Sequence, residues 1–244
     1  MGQTPLDVSV VLPTFDEADS LPLVVPRICA ALGQAGLRGE VIVVDDDSPD
    51  GTAQAARALA VAHPVRVRVR TGERGLATAV LEGFRLSSAA VCVVMDADGS
   101  HPPDALPDLV RPVLEGRADI AVGSRYVPGG STPGWSWRRR FMSRSAGRLA
   151  LGVAPLADAT SGFMAARRDL LAALDLDPVG FKIVLEVVVK ARGARMLEVP
   201  IAFRDRELGR SKMSGGQIWH YLRHLGRLYA FRYLGRRPAG RAAR

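Results

Sequence analysis

The chain has only two cysteines in 244 residues, Cys29 and Cys92. That excludes a disulfide-built scaffold and a cysteine-rich metal site. One lies in a predicted helix and the other in an apolar strand, so both are expected to be buried, reduced core residues. No window approaches roughly eighteen consecutive apolar residues, which argues against a transmembrane helix. The N-terminus reaches a predicted strand without the charged-then-apolar pattern of a signal peptide. Together these absences predict a protein kept in the cytoplasm. The four histidines, His63, His101, His220 and His224, show no metal-ligand spacing with cysteine and are assigned no metal. Two phosphate-binding signatures are missing as well. No Gly-x-Gly-x-x-Gly follows the first strand, where Pro13-Thr14-Phe15-Asp16-Glu17 stands instead, and Gly72-Glu73-Arg74-Gly75 is too short to match. No Gly-x-x-x-x-Gly-Lys-Ser/Thr occurs either. A bound nucleotide would therefore be held by a metal and acidic residues, not by a glycine-rich loop.

What is present is otherwise ordinary for a soluble domain, with 48% hydrophobic and 24% charged residues. A chain of this length fits one large domain, or one domain with an appendage, and can bury a full core. The charge stands apart, at a net +8. Residues 204–244 hold eleven Lys/Arg against two Asp/Glu, so the surplus lies in a C-terminal segment joined to a nearly neutral body. Such asymmetry suggests an anionic partner, either nucleic acid or a membrane surface.

The first half alternates strand and helix patterns. Residues 7–12 read as a buried strand ending at Pro13. A helix is expected from Ser20 to Leu32; Pro22 suits its first turn, whereas Pro26 should irregularise its start. Residues 40–44 form a second strand that stops on Asp45-Asp46-Asp47, and Asp50 can cap the helix from Thr52 to Ala62. From Val65 to Arg70 apolar and Arg residues alternate strictly, the mark of a half-exposed strand whose three Arg side chains form a solvated edge. A helix at 76–87, a strand at 90–95, a helix near 104–115 and a strand at 119–123 follow. This alternation predicts a mostly parallel sheet covered on both faces. The strands ending at Leu12, Val44 and Met95 open towards one edge, and ligands of such sheets sit outside the carboxyl ends of the strands.

At that edge stands Asp96-Ala97-Asp98-Gly99-Ser100-His101-Pro102-Pro103. Two carboxylates one residue apart suit a hard divalent cation that carries a diphosphate. They also suit an acidic helix cap, since Ser100, Asp104 and the prolines look like a helix start; alone, the stretch leaves both readings open. Glu17 and the acidic triplet can accept hydrogen bonds from ribose hydroxyls and base N–H groups. A nucleic-acid-binding protein would explain none of Asp45, Asp46, Asp47, Asp96 or Asp98, which repel phosphate, so no nucleic-acid partner is expected. Glu186, set among Val184, Leu185, Val187 and Val188, needs a partner if buried, and a structural ion pair with a nearby Arg is expected.

Taken in order, Val11-Leu12-Pro13-Thr14-Phe15-Asp16-Glu17, Val44-Asp45-Asp46-Asp47-Ser48-Pro49-Asp50-Gly51-Thr52 and Met95-Asp96-Ala97-Asp98-Gly99-Ser100-His101-Pro102 resemble the successive motifs of family-2 GT-A glycosyltransferases. Gly123-Ser124-Arg125-Tyr126, Gly180-Phe181-Lys182-Ile183-Val184-Leu185-Glu186 and Gly209-Arg210-Ser211-Lys212-Met213-Ser214 narrow the resemblance to the dolichol- or polyprenol-phosphate mannosyltransferase branch. It runs from about residue 8 to 234. It implies a GT-A (Rossmann-like) α/β fold and inverting transfer of mannose from GDP-mannose to a dolichyl or polyprenyl phosphate, with Mg²⁺ or Mn²⁺ as cofactor. The same fold with another donor, such as UDP-glucose, or another acceptor is the alternative. Carried over by position, Pro13, Phe15 and Glu17 would line the nucleotide pocket, and Val44 and Asp46 would contact the guanosine. Asp96, Ala97 and Asp98 would meet the sugar and diphosphate, with Asp98 a metal ligand and Ser100 at a position that contacts metal in some relatives. Arg125, Arg206 and Lys212 would close over the phosphates. Arg139 and Ser143, four apart on one helical face, would bind the acceptor phosphate. Asp47 stands where the family more often has Gly, and Phe15 where it often has Tyr; both departures bear on donor choice.

The resemblance divides the chain into a GT-A catalytic domain over residues 1–203, a phosphate-clamp loop with an amphipathic helix over 204–234, and a frayed basic tail at 235–244. In that helix Ile218, Leu222, Leu225 and Tyr229 recur at spacings of four, three and four. The stripe suits either docking on the body or an in-plane position at a membrane surface, and the lipid acceptor favours the latter. Arg138, Arg139, Arg140, Arg144 and Arg148, following Trp135 and Trp137, form a second basic and aromatic cluster suited to that surface. Other members of the branch carry transmembrane helices after this point. Peripheral attachment to the cytoplasmic face, or a separate membrane-anchor protein, is therefore expected.

Overall fold

The computed structural model describes residues 5–177, 182–205 and 215–235, with the backbone alone for 215–218. In chain order the elements are β1 (Val8–Thr14), α1 (Leu21–Gln34), β2 (Gly39–Asp45), α2 (Thr52–Leu59), β3 (Val65–Val69), α3 (Leu76–Leu86), β4 (Val91–Val94), a 3₁₀ turn (Pro103–Ala105), α4 (Leu106–Leu114), β5 (Ile120–Ser124), α5 (Trp137–Ala150), β6 (Met164–Arg167), α6 (Arg168–Ala173), α7 (Ile183–Lys190), β7 (Met196–Pro200) and α8 (Gly215–Leu234). The seven strands form one sheet in the order β3-β2-β1-β4-β6-β5-β7. β6 pairs antiparallel with both β4 and β5, and the other pairs are parallel.

Successive strand residues point to opposite faces, so both faces need cover and the strands read as unbroken apolar runs. Val11, Ile42, Val44, Cys92 and Val94 pack beneath α3, α7 and α8. Val10, Leu12, Val41, Val43 and Val93 pack against α1 and α4. Cys92 is fully buried but Cys29 is only partly so, a correction to the expected pair of core thiols. α3 lies so close to β1 that a Cβ built on Gly83 would stand 2.2 Å from Val11 Cγ1. Pro26 does not irregularise α1, which runs unbroken from Leu21 to Gln34 through it.

β1 lies inside the sheet, beside the central strand β4; the chain moves outward from it to β3 before crossing back to β4 on its other side. This reversal leaves a crevice at the carboxyl ends of β1, β2 and β4, where open α/β sheets take ligands. The register places Thr14 beside Asp45 and Val11 beside Val94, so the segments after all three strands meet there.

β3 is the expected edge strand, with Arg66 and Arg68 half-exposed and paired to Glu40 and Glu82. Arg70 is different. It follows the last paired residue, turns inward and is buried against Asp46, so only two of the three arginines belong to a solvated edge. Glu186 pairs within α7 to Lys190 Nζ at 2.6 Å, one helical turn on, and among the described residues no Arg takes the expected place. α8 buries Tyr221, His224, Leu225 and Leu228. The hydroxyls of Tyr221, Tyr229 and Tyr233 donate to the carbonyls of Ala146, Leu149 and Gly152, tying α8 to α5 and the turn after it. The buried face is thus offset from the expected stripe, with Leu222 left outside. Arg206, Lys212 and residues 236–244 lie outside the described residues.

Candidate active site

The segments that follow β1 and β2 are laced together. The Asp16 N–H donates to Ser48 Oγ (3.1 Å), the Glu17 N–H to Thr52 Oγ1 (2.9 Å) and the Ala18 N–H to Asp50 Oδ2 (3.0 Å). Asp45 is consumed internally, accepting from Thr14 Oγ1, Ser48 N and Ser48 Oγ. Asp50 accepts from the Thr52 N–H at the start of α2, as expected of a capping carboxylate, although Gly51 occupies the cap position itself. Asp46 turns the other way. Its carboxylate receives Nε and Nη2 of Arg70 and the Gly75 N–H (2.7 Å), which draws in the segment before α3. From that segment Arg74 lays its guanidinium over the Phe15 ring, 4.9 Å from the centroid. Asp47 has a φ of 56°, in the left-handed region, a backbone conformation that glycine adopts at no steric cost. Pro13, Phe15, Glu17, Val44 and Asp46 are therefore gathered at one place.

After β4 the chain turns tightly through Asp96–His101. The Asp96 N–H donates to His101 Nδ1 at 3.0 Å, and the Ser100 N–H donates to Asp98 Oδ1 at 3.0 Å. Asp98 and Ser100 are buried, whereas Asp96 is half-exposed. Ser100 Oγ is buried with no hydrogen-bond partner among the described residues. His101 is held between Phe163, stacked at 5.1 Å, and Phe203, edge-on at 5.2 Å. Burial lowers its pKa, against the pull of Asp96 and Asp98, so the ring is neutral and its Nδ1 accepts.

Arg125, one residue past β5, enters from the other side. Its Nε and Nη2 grip Asp158 at 2.6 Å each, its backbone N–H meets the same carboxylate, and Nη2 also reaches Thr160 Oγ1 at 2.7 Å. Desolvation alone would raise the Asp158 carboxyl, but the hydrogen bonds and charge of Arg125 outweigh it and hold the pKa below the ordinary value. Glu198 on β7 accepts the N–H groups of Ala157 and Asp158, fixing the segment that carries this anion. Lys182 donates to the Thr160 carbonyl at 2.6 Å; burial, then the charge of Arg125, lowers its pKa to about 8. A Cβ on Gly162 would come within 3.4 Å of His101 and 3.7 Å of the Asp96 carboxylate. The 158–163 segment therefore adjoins the Asp96 turn.

Arg139 and Ser143 lie on α5, whose N-cap Ser136 accepts the Arg139 N–H. The Arg139 guanidinium stacks over Trp135 at 4.0 Å and is ion-paired to Asp205. Trp135 meets Phe203 edge-on at 5.5 Å. Sequence reading missed Glu198 and Phe203 and set His101 aside; it expected Trp135 with Trp137 at a membrane surface, but Trp135 is buried and only Trp137 is exposed. The pairing of Arg125 with Asp158 spans more than thirty residues, and such a contact leaves no periodic signal.

A mostly parallel sheet whose central carboxyl ends gather acidic loops, an Asp-x-Asp turn and an anchored arginine defines the GT-A class of sugar transferase. Comparison with known proteins agrees. The chain belongs to glycosyl transferase family 2, whose pattern matches residues 9–175. It is 44% identical over 227 residues to a dolichol-phosphate mannosyltransferase of Pyrococcus furiosus, covering 91% of this chain but only 64% of that protein. It is 45% identical to a polyprenol monophosphomannose synthase of Mycolicibacterium smegmatis, covering 86% of this chain and 82% of that one. An undecaprenyl-phosphate mannosyltransferase of Micrococcus luteus is 42% identical, with 86% and 89% covered. Among solved structures, glucosyl-3-phosphoglycerate synthase from Mycobacterium tuberculosis with Mn²⁺, UDP-glucose and phosphoglyceric acid superposes with a TM-score of 0.69 at 20% identity, over 96% of this chain and 82% of that one. A mannosyltransferase from Pyrobaculum calidifontis with GDP-mannose and Mn²⁺ gives 0.67 at 23% identity, over 97% and 66%. These two share the fold.

Proposed function

We propose that this chain transfers mannose from GDP-mannose to a polyprenyl phosphate, with inversion at the anomeric carbon. The observation that carries this reading is the meeting, at one sheet edge, of the Asp96–Asp98 turn, the Arg125–Asp158 pair and Arg139. Identity of 42–45% to curated polyprenyl-phosphate mannosyltransferases supports the reaction class. Donor loops come from β1 and β2, and the acceptor residues come from α5.

A phosphate-monoester oxygen is already anionic near neutral pH, so the nucleophile needs no protein base. It attacks the anomeric carbon as the bond to the diphosphate oxygen breaks on the opposite face, and the electron pair leaves with the nucleoside diphosphate. The demand is electrostatic: hold two anions together and stabilise the departing charge. Asp98 and Ser100 fit a divalent cation, since one is a buried carboxylate and the other a buried hydroxyl without a partner among the described residues. No group of three or more His, Cys, Asp or Glu suited to a metal occurs among the described residues, so the donor diphosphate would complete the set. Bound there, Mg²⁺ or Mn²⁺ would act as a Lewis acid on the leaving group. Asp96, half-exposed beside it, would address the sugar. Arg125 is neutralised by Asp158 and would contribute oriented N–H groups; net positive charge would come from Lys182, Arg206 and Lys212.

The acceptor stays in a bilayer, so the enzyme must meet it there. α5 presents Trp137 (68% exposed) and Phe141 (64%) among Arg138, Arg140, Arg144 and Arg148, and α8 presents Trp219, Leu222, Tyr233 and Leu234. No helix among the described residues is long and apolar enough to cross a membrane. These faces support peripheral contact with the cytoplasmic leaflet, alone or beside a membrane-anchor protein. The test is transfer of radiolabelled sugar to polyprenyl phosphate from GDP-mannose and, separately, UDP-glucose, with and without chelator. Chelator-sensitive mannosyl transfer is expected; a preference for UDP-glucose or full activity in chelator would overturn donor or metal respectively.

A further inference from the structure

A continuous stack of rings joins Arg139 to the Asp96–Asp98 turn. His101 holds the Asp96 N–H, Phe203 lies edge-on to His101, and Trp135 lies edge-on to Phe203 with an interplanar angle of 80°. The Arg139 guanidinium closes the stack at 4.0 Å above the indole. Trp135 is only 7% exposed, while Trp137 beside it on α5 is open to solvent. The Trp135 Nε1–H is buried with no hydrogen-bond partner among the described residues, so the ring offers its faces: Arg139 lies over it at 4.0 Å, and Arg125, already held by Asp158, more distantly at 5.4 Å. Asp205 meets the same guanidinium at Nη1, an edge contact, while the indole takes the face. A free arginine samples many rotamers and loses that freedom on binding. Here it is set in advance.

We propose that Trp135 is a positioning residue for the acceptor: its indole face orients Arg139 to receive the lipid phosphate, and Phe203 and His101 register that arginine to the donor turn. The inference rests on the reading of Arg139 as an acceptor-phosphate group. Core filling would make any bulky apolar side chain equivalent at this position; support through the π face does not.

The test is steady-state kinetics with donor and acceptor varied separately. Trp135→Met keeps bulk and removes the π face, and is expected to raise the acceptor KM about tenfold. Donor KM and kcat are expected to stay near wild type, since the lost interaction acts equally on ground and transition states. Trp135→Phe is expected to recover most of the loss, leaving the acceptor KM roughly twofold to threefold raised. In an Arg139→Ala background, Trp135→Met is expected to change the acceptor KM no further. An unchanged acceptor KM in Trp135→Met, an equal rise for donor and acceptor, a Phe variant as poor as Met, or an undiminished effect in the Arg139→Ala background would each overturn the proposal. If Arg139→Ala itself leaves the acceptor KM unchanged, the reading of Arg139 fails and this inference with it. If Arg139→Ala is effective and Trp135→Met silent, this inference fails alone. Should Trp135→Met not fold, Trp135→Phe is expected to show its small rise only when Arg139 is present.

Discussion

Asp158 and Arg125 are both buried, and each is the main answer to the other's charge. Removing one partner strands the other, so Asp158→Asn is expected to lower the unfolding free energy by about 3 kcal/mol, read from urea titration. A loss below about 1 kcal/mol, the size of a surface pair, would show that the arginine finds water instead. Lys182 gives a pH signature. Its folded pKa is about 8 against an ordinary 10.5, so between those values the unfolded chain holds a proton that the folded chain has released. Stability from this group therefore rises with pH across that window and is flat below it. Lys182→Met is expected to remove that slope; equal slopes for both proteins would refute the shift. Asp47, with its left-handed backbone, should accept glycine without loss of melting temperature, whereas a β-branched Asp47→Val should melt several degrees lower. These features differ in how far the sequence disclosed them. The Asp96–Asp98 turn is local and was readable as a motif, but the Asp158 partnership depends on two loops meeting in space. Arg70 misled because its alternation continues one residue past the paired strand.

At the scale of elements, the strands and most helices follow from apolar periodicity, and their bounds shift by only one or a few residues. α8 shows where periodicity stops. A stripe tells which face wants cover, not what covers it; the tyrosine hydroxyls that reach the carbonyls of α5 and its following turn decide that here. Docking leaves α5 and α8 side by side with apolar groups still facing out. Trp137→Ser combined with Phe141→Ser is expected to weaken co-sedimentation with anionic vesicles strongly while leaving stability within roughly 0.5 kcal/mol, because both side chains are exposed. Unaltered sedimentation would place the lipid contact elsewhere. α3 tests the opposite case. Gly83→Ala would push a methyl group into Val11, and an overpacking loss of about 1–3 kcal/mol is expected in thermal or urea melts.

For the whole molecule, the +8 charge concentrated towards the C-terminus would make attraction to an anionic leaflet sensitive to salt, since such fields are screened within about 10 Å at 0.1 M. The fold class was legible because alternating strands and helices admit few layer arrangements; the reversed strand was not, since direction within a sheet has no compositional mark. That strand has a broader meaning. Parallel strands contribute to the crevice only through the segments that follow them, and each is tied to a crossover helix. β6 runs against them, with Met164 level with Val94 and Val122, so it contributes the segment that precedes it. The loop bearing Asp158 and Gly162 is thus free of the connections that follow β1 and β2. A lineage that kept Asp158 and Gly162 could lengthen or shorten the rest of that loop without moving a crossover helix, making β6 a joint at which one wall of the crevice is adjustable.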